Sequence, residues 1–224
     1  MDPSTVEPQL AALDIKYADE LSRARTGVSE FRAFIDVTSP VIHSYLVSPS
    51  KYNQDYYIPA LFLGLKPACS IELPTTVYED DVPSEEAVQQ ESLLIQSLAL
   101  LPSTFGWLSN GKSIVIFNKD ETKKVLLSNK DLFPDYDSSQ EVDVYLGQLN
   151  QNKTLGLRIG ALFGYPRRAV ESFVAGKGNT TVNTFGYTYV VEDVTQEDRD
   201  LTEKVGFIFQ ASGMLDYINT LRKS

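Results

Sequence analysis

The twenty residues from Leu155 to Val174, LGLRIGALFGYPRRAVESFV, constrain this chain more than any other stretch. Gly156, Gly160 and Gly164 recur every fourth residue, so on a helix they line one stripe. Glycine inside a helix costs about 1 kcal/mol against alanine. A repeated cost of that kind predicts a compensating contact, and a partner backbone packed against the stripe would supply one. Pro166 suits the first position of a second helix, where its missing N–H is no loss. The expectation is a helix–corner–helix unit over residues 155–175, with Gly156, Gly160, Gly164 and Pro166 as its structural corner.

The rest of the chain is read by hydrophobic period. Leu10, Leu13, Tyr17, Leu21 and Ala24 keep helical spacing, with Gly27 as a stop, and Ser29 could cap a second helix carrying Phe31, Phe34 and Ile35. Ser39-Pro40 restarts the chain, which makes the first ~45 residues helical. IPALFLGL, Ile58 to Leu65, is short, apolar and flanked by proline, as a buried strand would be. Ser84 caps a helix with the stripe Val88, Leu94, Ile95, Leu98 and Leu101. From Phe105 to Leu127 the period suits strands. Asn110-Gly111 is a hairpin signal, and WLS, SIVIF and VLL predict a small antiparallel meander. Val142, Tyr145, Leu146 and Leu149 predict a helix ahead of the corner. TFGYTYVVED and VGFIFQ read as strands, and Leu215, Ile218 and Leu221 as a closing helix. These elements make one α+β domain over residues 1–224.

Charge limits the partners. Thirty acids against twenty bases give a net charge of −10, which opposes broad binding to a phosphate backbone. One cysteine, Cys69, forbids an internal disulfide or a cysteine zinc cluster. The opening MDPSTVEPQLAAL has neither a basic start nor an apolar centre, and no apolar run reaches membrane-spanning length. A cytoplasmic protein without membrane contact is expected.

Three motifs bear on function. Gly106 to Ser113 fits the phosphate-loop pattern GxxxxGK[ST], in which Lys112 would reach phosphate oxygens and Ser113 would hold magnesium. That chemistry needs a strand before the loop and a helix after it. Here a helix ending at Pro102 precedes and the strand SIVIF follows, so a hairpin turn is preferred. Asp135, Asp137, Glu141 and Asp143 cluster like calcium ligands, but Gln140 and Leu146 stand where an EF-hand loop needs glycine and glutamate. His43 is the one histidine, and nothing in its surroundings pairs it with Cys69.

The corner resembles a DNA-binding helix-turn-helix over about twenty residues, with Gly160, Gly164, Val170 and Phe173 at fitting places. By that resemblance Arg167 and Arg168 would open the recognition helix and reach bases or phosphates. Two cations at a helix N-terminus also oppose its dipole. Together with Arg158 on the preceding helix, they are therefore candidate contacts for an anion or an acidic partner. No catalytic set, metal site or cofactor site is assigned. The leading expectation is a non-catalytic cytosolic interaction protein acting through protein contacts. The alternatives are a DNA-binding regulator using residues 155–174 and a nucleotide- or phosphate-binding enzyme at Gly106–Ser113.

Overall fold

The structure, a computed structural model, describes residues 11–40, 43, 46, 56–75, 83–109, 112–151 and 156–223. The chain is an α+β protein built on a small antiparallel sheet. Strands β1 (Ala68–Glu72), β2 (Phe105–Ser109) and β3 (Ser113–Asn118) stand in the order β1-β3-β2. The β2–β3 hairpin runs from Phe105 opposite Asn118 to Ser109 opposite Ile114, as its sequence predicts. The turn signal itself, Asn110-Gly111, lies outside the described residues.

Alternation along β3 divides the interior in two. Ile114 and Ile116 join Cys69, Ile71 and Phe105 in the larger core. Phe117 joins Ala68, Leu126, Phe133, Tyr145 and Leu162 in the smaller one on the opposite face. Gly106 lies opposite Phe117, and a Cβ there would fall 2.5 Å from the phenylalanine ring. The first glycine of the phosphate-loop pattern is thus explained by packing.

Several elements expected as strands are helices. IPALFLGL contributes to α2 (Tyr57–Phe62), which follows the long α1 (Ala18–Val37). Helix α2 is buried on every side, so it has no polar face to reveal its period. It ends in a Schellman motif at Gly64 (φ +68°), where Leu65 N–H donates to the Ala60 carbonyl at 3.0 Å. The run containing VLL is α4 (Lys119–Ser128), and it follows α3 (Glu85–Leu98) in helical order. The Asn118 side chain caps α4 by accepting from the N–H groups of Asp120 and Glu121, both at 3.1 Å. The third strand of the sheet is β1 instead.

Gly27 does not stop the first helix. It lies within α1, and a Cβ there would fall 2.0 Å from the Phe62 carbonyl oxygen. Ser29 accordingly caps nothing and donates to the Arg25 carbonyl within the helix. On α3, Ser84 caps as expected, accepting from Ala87 N–H, and Leu94 and Leu98 are buried, but Val88 and Ile95 are exposed.

The second half of the chain carries α5 (Val142–Gln151), then the corner helices α6 (Gly156–Leu162) and α7 (Arg167–Val174). TFGYTYVVED is most of a hairpin: β4 (Thr180–Thr184) pairs with β5 (Tyr187–Val191) through Phe185-Gly186. VGFIFQ lies inside α8 (Gln196–Ala211), which buries Val205, Phe207, Ile208 and Phe209, and α9 (Met214–Leu221) closes the chain. No helix among the described residues is long and apolar enough to cross a membrane.

Candidate functional site

The corner at 155–175 is formed, and its turn is a second Schellman motif. Gly164 takes φ +75°, Tyr165 N–H donates to the Gly160 carbonyl at 3.1 Å, and Gly164 N–H donates to the Ala161 carbonyl at 2.9 Å. Pro166 sits one place earlier than expected, as the N-cap of α7, and its carbonyl accepts from Ala169 N–H. Gly160 is tightly covered, but by a side chain. A Cβ there would lie 2.7 and 2.9 Å from the two methyl carbons of Val170. Gly160 therefore seats α7 against α6, Gly164 faces Pro67 and the Tyr187 hydroxyl instead, and the tightest approach to a backbone falls at Gly27. Gly156 opens α6, and Leu155 lies outside the described residues.

The three arginines of the corner engage three different places. Arg167 is exposed and pairs with Asp131 at 2.5 Å and Glu171 at 2.9 Å. That contact with Arg167 holds the Asp131 carboxyl below the usual carboxylate range. Arg168 Nη2 binds Asp198 Oδ2, while its Nη1 donates to the Asp193 carbonyl at 3.0 Å. Asp198, only 1% exposed, also accepts from the Tyr189 hydroxyl at 2.8 Å and from Thr195 N–H at 2.7 Å. It completes the capping box of α8. Arg158 is half-buried on α6, and its charge acts on the buried Tyr145 hydroxyl.

Between the corner and the β4–β5 hairpin lies a cleft of about 650 Å³. Ile159, Phe163 and Tyr165 line it from α6 and the turn, Val170 and Phe173 from α7, and Val190 from β5. None of its lining residues is charged. Its hydroxyls are largely engaged within the chain: Tyr189 donates to Asp198, and Thr188 to Asn183 at 3.1 Å. The lip is Phe173, 74% exposed, and Val174, 58% exposed. An uncharged lining whose hydroxyls are largely engaged offers an occupant mainly apolar contact.

Directly behind two of the cleft's rings is a buried amine. Lys66 is 0% exposed, and its Nζ donates to the Phe163 carbonyl at 2.9 Å. The same nitrogen stands over the rings of Tyr187 (4.2 Å), Tyr165 (4.4 Å), Tyr57 (5.1 Å) and Phe163 (5.8 Å). Phe163 caps the end of α6, where helix carbonyls favour a cation, and the rings add cation–π attraction. Burial acts against the charge and pulls the amine down to about 7. Burial also pushes the neighbouring Cys69 thiol up to about 12 and raises the hydroxyls of Tyr165 and Tyr187 above their usual range.

Lys66 is missing from the sequence-based candidates, although the sequence carries a signal for it. It is the only charged residue between Asp55 and Glu72, and a single charge inside so apolar a run has nowhere to go but inward or to a partner. The other motifs stay apart from this site. Gly106 to Ser113 spans two antiparallel strands, with no helix beginning at Ser113. The His43 ring nitrogen bonds the Ile35 carbonyl at 2.8 Å. Asp137 is occupied by the backbone and hydroxyl of Ser139, both at 2.7 Å, and the described residues contain no group of three or more candidate metal ligands. No protein-family model, curated protein or solved structure matches this chain.

Proposed function

We propose that this is a non-catalytic, cytosolic interaction protein that takes an apolar segment of a partner protein into the cleft between the corner and the hairpin. The observation that carries the reading is the pairing of an uncharged cleft with a phenylalanine left 74% exposed at its lip. Burying an exposed phenylalanine and the valine beside it is worth about 1.5–3 kcal/mol per side chain. Anchors of that kind dominate protein interfaces. The uncharged lining calls for an uncharged anchor, and the chain's net charge of −10 favours basic residues flanking it. A single, buried, unpaired cysteine accords with a reducing compartment.

The DNA-binding alternative would rely on Arg167 and Arg168, and the carboxylates engaging both weigh against it. The phosphate-binding alternative lacks the helix N-terminus that its loop requires.

Displayed random peptides test the proposal when selected on the wild type and counter-selected on Phe173→Asp. The expected winners share an aromatic or aliphatic anchor flanked by lysine or arginine, and bind Phe173→Asp at least about tenfold more weakly. A selection that yields no binder, or binders indifferent to Phe173→Asp, would overturn it.

A further inference from the structure

The Lys66 amine joins four elements at one point. Tyr57 opens α2, Phe163 and Tyr165 form the corner turn, Tyr187 opens β5, and Lys66 lies just ahead of β1. An ammonium has three donors, and the hydrogen bond to Phe163 uses one of them. No carboxylate pairs with Lys66 among the described residues; the titratable groups facing it are Tyr57, Tyr165, Tyr187 and Cys69. Charging this amine therefore puts a cation in a cage that offers rings and one carbonyl. Hydrating it requires a covering element to move, and the Phe163–Tyr165 turn carries the carbonyl it donates to and two of its four rings.

We propose that Lys66 is a proton-operated latch on the corner: the neutral amine keeps the Phe163–Tyr165 turn closed over it, and the ammonium favours releasing that turn to water. The inference does not depend on what occupies the cleft, although Phe163 and Tyr165 belong to both.

The direction follows from linkage. In the closed state the amine loses its proton near 7, and in water near its ordinary value of 10.5. Between those values the open state holds the proton and the closed state does not, so raising the pH favours closure by about tenfold per unit. Below about 7 both states are charged and the dependence vanishes. Cys69 sets the upper limit. Its closed-state thiol is raised above the ordinary 9.0, so ionisation in the open state begins to favour opening there. The clean window lies between about pH 7 and pH 8.5.

Cys69, the chain's only cysteine and fully buried beside the latch, is a native reporter of opening. Its rate of alkylation by iodoacetamide is divided by the rate in the urea-unfolded chain at the same pH, which removes thiol ionisation. The expected normalised rate is flat from about pH 5.5 to 6.5 and falls about tenfold between pH 7.5 and 8.5. In Lys66→Met it is flat throughout. A flat wild-type profile, or the same fall in Lys66→Met, would overturn the latch. Should Lys66→Met not fold, the wild-type profile repeated in dilute urea decides: a break near pH 7 with a rate nearly insensitive to urea supports the latch, and no break, or a urea dependence equal to that of global unfolding, refutes it.

Discussion

Asp198 and Lys66 are both buried charges, and they fasten opposite ends of the same corner. Asp198 holds the start of α7 through Arg168, and Lys66 holds the end of α6 through the Phe163 carbonyl. Their surroundings could hardly differ more. Asp198 receives a guanidinium, a tyrosine hydroxyl, a threonine hydroxyl and a backbone N–H. Among the described residues Lys66 has one carbonyl and four ring faces. A buried charge that is fully engaged on its own terms acts as a fixed fastener, because every alternative leaves several groups unpaired. One that lacks a counter-charge survives by giving up its proton, and so becomes responsive to pH.

The largest expected effect breaks the fully engaged side. Asp198→Ala leaves the partly buried Arg168 without its main partner and the Tyr189 hydroxyl without an acceptor, which should cost about 3–5 kcal/mol in urea unfolding. A loss below about 1 kcal/mol would show that Asp198 is no fastener. Lys66→Met should act in the opposite direction. Its removal spares the fold an uncompensated amine but leaves the Phe163 carbonyl without that donor, so a gain of about 2 kcal/mol at pH 7 is expected. The gain should shrink by about 1.4 kcal/mol per pH unit toward pH 8.5, because the wild type becomes more stable as deprotonation of its unfolded chain becomes easier. Smallest of all is Arg167→Ala. Its two ion pairs are solvent-exposed and screened, so the urea midpoint should shift only slightly at low salt and not at all in high salt.

The same contrast marks what the sequence could and could not reveal. The fastener at Asp198 was half legible, since Thr195-x-x-Asp198 ahead of an apolar run is a capping signature. The acidic residues around it give no local sign of burial, and only the fold brings Arg168 across from α7. The α+β class, the capped α3, α5 and the corner at 155–175 were all legible, because each carries a local period or a local cap. Helix α2 was not: five of its six residues are buried, which leaves no polar face and no period to read. The glycine stripe signalled close packing at Gly160, but a sequence cannot say whether a side chain or a backbone fills the gap. The backbone approach falls at Gly27, where glycine alone reads as a stop. The cleft was invisible because it is shared between α6, α7 and a hairpin, and no single segment carries its pattern.

Titration of the Lys66 amine itself tests the central contrast most directly. With lysine side chains labelled with carbon-13, the Cε resonance of Lys66, assigned by its loss in Lys66→Met, can be followed from about pH 5 to 11 by NMR. A midpoint near 7, well away from the other lysines, is the predicted result. A midpoint at or above the ordinary 10.5 would mean that the cage and the Phe163 carbonyl fully support the charge. Lys66 would then be a fastener of the same kind as Asp198, and the distinction between them would fall.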